Sequence, residues 1–244
     1  MTETDNYQHT PENENTYRIR AAVRALLSPG MWLVVAMQAV TLVLLASAAN
    51  DGSSGLRPLF GAASFFLFLY FTSGMFQSLA TSRDAISVRD VMLNGARVFN
   101  RFMVMGLKAF LLFGFILFLV VAPLGAELQS ILKDYPWFWG LSMAVMGVVL
   151  VYWLPIAFVT GHFGLTQTLL SALKVQQQRL QQLPYPALLI LTPNLVGLAI
   201  PTERLLTGAV LISALSEILG WVAYTYCTEY VARNRDKVLI ASKF

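Results

Sequence analysis

Histidine and cysteine are nearly absent from this chain, which carries two of the first, His9 and His162, and one of the second, Cys227. A lone thiol cannot close an intramolecular disulfide, and two imidazoles cannot build a His-rich metal site, so neither a metal nor another cofactor is expected. Charge is scarce as well. Only 12% of the residues are Asp, Glu, Lys or Arg, against about 25% in a soluble domain. The sequence holds no His-Glu-x-x-His helix and no Gly-x-x-x-x-Gly-Lys phosphate loop. Ser73 could reach His162 by arithmetic alone, since both fall toward the same ends of apolar runs, but nothing orients the pair and no nucleophile elbow surrounds the serine. The chain therefore reads as a non-enzyme. A formal charge of +4 is too small to make the basic pI a sign of nucleic-acid binding.

What the chain has instead is apolar length. It is 57% hydrophobic with a mean hydropathy of +0.62, and its apolar runs approach or exceed the roughly 20 residues that cross about 30 Å of hydrocarbon. The expected fold is all-α and polytopic, a membrane domain over 17–231 with six transmembrane helices near 31–49, 60–80, 102–124, 137–161, 183–200 and 206–231. Residues 1–16 are polar and acidic and read as a disordered cytoplasmic tail; residues 232–244 read as a basic cytoplasmic tail. Ser82 to Leu124 organises the rest, as an arginine-bearing surface helix to Arg101 that feeds the third span, followed by a loop from Gly125 to Tyr135. Tyr17 to Leu27 and Thr166 to Gln182 show the same amphipathic character, and Ser28-Pro29-Gly30 breaks the first of them.

The positives alternate in a way that fixes orientation. With six spans, 14 Lys and Arg residues fall on one side, among them Arg18, Arg20, Arg24, Arg179 and the tail, and only Arg57, Lys133 and Arg204 fall on the other. Positive residues collect in the cytoplasm, so both termini are expected there. Trp137 and Trp139 at one end of the fourth span, and Tyr152, Trp153, Trp221, Tyr224, Tyr226 and Tyr230 toward inner ends, suit either headgroup anchoring or interhelical packing.

An amphipathic segment precedes a hairpin of spans three times. Asp90, Asn94, Arg97 and Arg101 share their spacing with Gln167, Ser171, Lys174 and Gln178, each set on one helical face. Three parallel repeats of amphipathic helix plus hairpin would produce this pattern, as would the chance spacing of any amphipathic helix. Ser87 and Asp90 also have the spacing of a capping box.

The run Asp90-Val-Met-Leu-Asn-Gly-Ala-Arg-Val-Phe before a span, Pro123 at the end of that span, Leu-Pro-Ile-Ala-Phe at 154–158 and Leu-Leu-Ser-Ala-Leu from Leu169 carry a family resemblance. Over roughly residues 80–230 the chain resembles small six-helix bacterial inner-membrane proteins of unknown function, related to the membrane domain of glycerophosphodiester phosphodiesterases. The resemblance implies that architecture, a place in the cytoplasmic membrane, and an association with lipid metabolism or envelope maintenance. It transfers no active-site residue.

Polar groups inside spans cost enough to merit a hypothesis each. Glu217 and Asn194 come to similar depths of the sixth and fifth spans, where they could hydrogen-bond across adjacent helices. They could form a proton or cation relay beside a helix broken at Pro193-Asn194, or a plain structural lock. Lys108 lies about 9 Å into the third span at about 1.5 Å per residue, where it can snorkel to the headgroups or meet Gln38 of the first span. Arg83, Arg89, Arg97 and Arg101 form a basic surface for anionic lipid headgroups or a protein partner, or act only as orientation signals. Two functions follow from these residues. One is a scaffold, assembly or envelope-lipid maintenance factor; the other is a small transporter or permease using Glu217 and Asn194.

Overall fold

The computed structural model describes residues 11–50, 57–134, 144–197 and 205–241. Among them the chain is helical, in the order α1 (Pro11–Leu26), α2 (Pro29–Asn50), α3 (Arg57–Thr81), α4 (Val88–Asp134), α5 (Trp153–Thr160), α6 (Leu165–Gln178), α7 (Pro184–Gly197), α8 (Leu205–Arg233) and α9 (Arg235–Ala241). Residues 144–149 are helical too and lead through a turn at 150–152 into α5.

Four of these helices are long and apolar enough to cross a membrane: Pro29–Ser47, Pro58–Thr81, Val88–Phe115 and Gly208–Arg233. Three of them match the expected first, second and sixth spans to within a few residues, because an unbroken apolar run about 20 residues long has few alternatives, while Val88–Phe115 overlaps the expected third span at 102–124 but starts and ends earlier. A fifth is present only if α5 and α6, bent by 117° at the break between them, are taken as one span.

Elsewhere the boundaries differ from the sequence reading. The expected surface helix to Arg101 and third span are one helix, α4, 47 residues long, which also takes up the loop expected from Gly125 as far as Asp134. Nothing between Asn100 and Phe102 can break a helix. The expected fourth span is not one helix, since the turn at 150–152 interrupts it; it ends where expected, with α5 stopping at Gly161 in the left-handed conformation (φ +70°), and residues 135–143, with Trp137 and Trp139, lie outside the described residues. Of the expected fifth span at 183–200, α7 covers Pro184–Gly197 and runs through Pro193 without the expected break there, and residues 198–200 lie outside the described residues. The tails are shorter than expected. α1 already begins at Pro11, and α9 occupies most of the basic C-terminal segment.

The packed core gathers at one end of the bundle, called here the arginine end. Met31 and Val34 of α2, Met75, Phe76 and Leu79 of α3, Val91 of α4, Phe158 of α5 and Trp221 of α8 form one buried cluster. The ring of Phe76 lies 5.3 Å from that of Phe158, 4.7 Å from Trp221 and 5.0 Å from Tyr224, so these aromatics serve interhelical packing. Tyr17, Tyr152, Val175, Tyr226 and Val231 belong to a second cluster beside it. Away from that end α4 is bare: Phe110 is 73% and Phe118 64% exposed. Such a surface suits hydrocarbon.

α3 and α4 approach closely enough that only glycine fits between them. A Cβ on Gly74 would lie 2.0 Å from the carbonyl oxygen of Val91 and 2.9 Å from the amide of Gly95. Backbone atoms cannot rotate away, so Gly74→Ala must push the helices apart. Overpacking of this kind costs about 1–3 kcal/mol, partly offset by the better helix propensity of alanine. A lowered melting temperature in detergent is the expected result, whereas Gly106→Ala, with nothing within 4 Å of the new carbon, should leave it unchanged or raise it slightly.

Candidate functional site

Side-chain hydrogen bonds that join distant parts of the chain gather at the arginine end around two buried guanidinium groups, Arg24 and Arg179. Arg24 lies near the end of α1, where Tyr17, Ala21, Arg24 and Ala25 form the face turned toward the bundle. The opposite face is apolar and exposed, with Ile19, Val23 and Leu26 outward, as an interfacial helix requires. Nη1 of Arg24 is 3.1 Å from Oε1 of Glu229 in α8. Its Nε donates to the carbonyl of Asp84 at 3.1 Å, and its Nη2 to the carbonyls of Leu79 and Ser82. Those carbonyls sit at and just past the end of α3, where helix geometry leaves acceptors unpaired and the dipole favours a cation.

The chain beside Arg24 is fixed by a second link. Ser28 Oγ donates to the carbonyl of Arg24 at 2.7 Å and accepts from the amide of Ile86 at 3.0 Å, while the amide of Gly30 donates to the carbonyl of Ile86 at 2.9 Å. Ser28-Pro29-Gly30 is therefore a docking point on the α3–α4 connection as well as a helix break. Downstream of it, Ser87 and Asp90 form the expected capping box: Asp90 Oδ2 accepts from the Ser87 amide at 3.2 Å and from its hydroxyl at 2.7 Å.

Arg179, just past α6, is the second centre. Its guanidinium donates to Tyr152 Oη at 3.2 Å and Tyr226 Oη at 3.1 Å, meets Glu14 Oε1 at 3.4 Å, and lies 3.7 Å over the ring of Tyr230. Glu14 also accepts from Tyr226 Oη. Burial works against the charge of Arg179, but the neighbouring tyrosines and Glu14 outweigh it and hold the guanidinium above its ordinary pKa. In α1, Tyr17 Oη donates to the carbonyl of Tyr226 at 3.0 Å, and burial pushes that phenol well above its usual range. α1 is thus strapped along the last turns of α8.

The residues singled out from the sequence are placed differently. Glu217 is half-buried, and its Oε1 accepts from Trp221 Nε1 at 2.8 Å, one turn along the same helix. The side chain of Asn194 lies outside the described residues, so the expected pair is not described. Lys108 is exposed on α4, and Gln38 Oε1 is buried with no hydrogen-bond partner among the described residues, so the two do not meet through that atom. Arg83, Arg89, Arg97 and Arg101 are all exposed. Ser73 Oγ donates to the carbonyl of Tyr70 at 2.8 Å in the buried interior, and His162 is exposed, so no catalytic pair forms. Among the described residues no group of three His, Cys, Asp or Glu could hold a metal.

Sequence reasoning missed Arg24, Arg179, Glu14 and Glu229 as partners. The available signal was Glu229, a carboxylate four residues before the end of a largely apolar helix, which burial would leave in need of a cation.

An open cavity of about 470 Å³ lies over the Arg24–Glu229 pair, rimmed by Arg20, Arg83, Arg233 and Arg235. No protein-family model, curated protein or solved structure matches the chain.

Proposed function

We propose that the chain is a non-enzymatic protein of the bacterial cytoplasmic membrane, with six crossings and both termini in the cytoplasm, serving as a scaffold or in the maintenance of envelope lipids. The observation that carries the functional part is where the buried charges go. Arg24 and Arg179 are taken up by Glu229, Glu14, tyrosines and helix-end carbonyls, which makes them joints between helices, while the exposed arginines face outward.

Six crossings draw support from the positions of the helix ends. α1, the α3–α4 connection and the end of α8 meet at Arg24, and α4 and α8 extend from there by about 70 and 43 Å at about 1.5 Å per residue. The chain leaves along α4 and is back beside Tyr226 at Tyr152 and Arg179. It must then return to the far end, where α8 begins. The basic end is the cytoplasmic one on the usual distribution of positives. For the repeats, the second stripe residues face inward in both units, Asn94 donating to Ser78 at 2.9 Å and Ser171 buried.

Isolation in a mild detergent tests the function. Either a stoichiometric protein partner or an anionic phospholipid enriched over the bulk membrane is expected; recovery of neither removes the reading.

A transporter is the second reading. What favours it is the buried amide oxygen of Gln38, which has no hydrogen-bond partner among the described residues, on α2, a helix that packs against α8. Under the scaffold reading, Glu217→Gln keeps the hydrogen bond from Trp221 through its own amide oxygen and should leave folding and cellular phenotype unchanged. Loss of a pH-dependent flux in reconstituted vesicles, with the fold intact, would decide for transport.

A further inference from the structure

From the cavity at the arginine end we infer a binding site for a phosphate-bearing anion, an inference that rests on the membrane reading above. The lining is one-sided in charge. Arg20, Arg24, Arg83, Arg233 and Arg235 face it with a single carboxylate, Glu229, and that carboxylate is already paired with Arg24 at 3.1 Å. Arg233 stacks over the ring of Tyr17 at 4.6 Å, which fixes its direction without neutralising it. Arg20, Arg83 and Arg235 are exposed and make no ion pair among the described residues.

Guanidinium groups gathered round one opening repel each other, and an anion in their midst relieves the repulsion. Arginine forks match phosphate oxygens two at a time, which makes a phosphomonoester or phosphodiester the best fit in chemistry. A volume of about 470 Å³ admits a glycerophosphate-sized group, within the roughly 300–1,000 Å³ of small-molecule sites.

Position sets the two possible sources. The cavity is lined by Leu79 to Arg83 at the end of one candidate span and by Glu229 to Arg235 at the end of another. On the membrane reading above, span ends place the cavity at headgroup depth, within reach of both lipid and water. The shared chemistry is the phosphate, carried by a phospholipid headgroup or by a soluble phosphate compound. A diffuse basic surface is the competing explanation, and Arg89, Arg97 and Arg101, exposed on α4 and not lining the cavity, supply its control.

The test uses the full chain purified in a neutral detergent, with dioctanoyl phosphatidic acid, dioctanoyl phosphatidylcholine and inorganic pyrophosphate as probes, titrated by calorimetry. Saturable binding of phosphatidic acid is expected, weakened at least tenfold in Arg20→Gln/Arg83→Gln/Arg235→Gln and within twofold of the parent in Arg89→Gln/Arg97→Gln/Arg101→Gln. Competition by pyrophosphate assigns the site to soluble phosphates as well; its failure to compete, with phosphatidylcholine weak, assigns it to acidic lipid. Should the cavity triple variant not purify, the single variants Arg83→Gln and Arg235→Gln must each weaken binding several-fold. Absent binding of both anions, or equal loss in the two triple variants, overturns the site. The scaffold reading would survive that failure, because it is judged on what co-purifies from the membrane.

Discussion

Replacing Arg24 with alanine is expected to lower the stability of the folded chain by about 3–5 kcal/mol, the range for removing one member of a buried ion pair. Both side chains are well shielded, with 6% of Arg24 and 12% of Glu229 exposed. The two halves of the pair differ in what they leave behind. Without Arg24, the carboxylate of Glu229 and the carbonyls of Leu79, Ser82 and Asp84 all lose a donor. Without Glu229, the guanidinium keeps the three carbonyls. Arg24→Ala should therefore cost more than Glu229→Ala, and the double variant should cost less than the sum of the two, measured as thermal or denaturant unfolding in one detergent. Equal and additive effects would mean that the pair is a surface contact worth little.

Arg179→Ala carries the second large effect, about 2–4 kcal/mol, from the loss of charge-assisted hydrogen bonds and of a desolvated cation–π contact. It strips a donor from Tyr152 and Tyr226 and a cation from Glu14, though Glu14 retains Arg18 at 3.6 Å. Arg179→Lys should be intermediate, since an ammonium keeps the charge but loses the fork and much of the stacking over Tyr230. The damage should be local. Hydrogen exchange is expected to rise over the first half of α1, around Glu14 to Arg18, while the segment from Arg24 to Met31 stays protected by its bonds to the α3–α4 connection.

Length and hydropathy made four helices legible, because a long apolar run has one solution in a bilayer. The capping box at Ser87 was legible for a related reason: it is a local device and needs no tertiary partner. The sequence reading failed where the deciding interaction spans the chain. Arg24 and Arg179 were counted among the positives that set orientation, which presumes each is solvated; pairing with residues 205 and 165 positions away leaves no trace in local spacing. Glu217 drew attention as an ionisable group deep in an apolar run, while Glu229 of the same helix did not, although burial gives it the stronger partner. The continuity of α4 was hidden by charge, since four arginines before an apolar run look like a boundary, and a helix can carry both along one axis. The interruption at 150–152 is a single turn that mean hydropathy averages away, whereas the helix end at Gly161 was legible from the glycine itself.

The central claim is that the arginine end faces the cytoplasm and the far ends of the spans face outward. The native thiol Cys227 is buried, so single cysteines can be placed at Arg57, where α3 begins, and at Arg235, beside the cavity. Treated with a membrane-impermeant maleimide in intact cells, Arg57→Cys should label and Arg235→Cys should label only after permeabilisation. Labelling of Arg235→Cys in intact cells, or of both positions before lysis, would contradict the account.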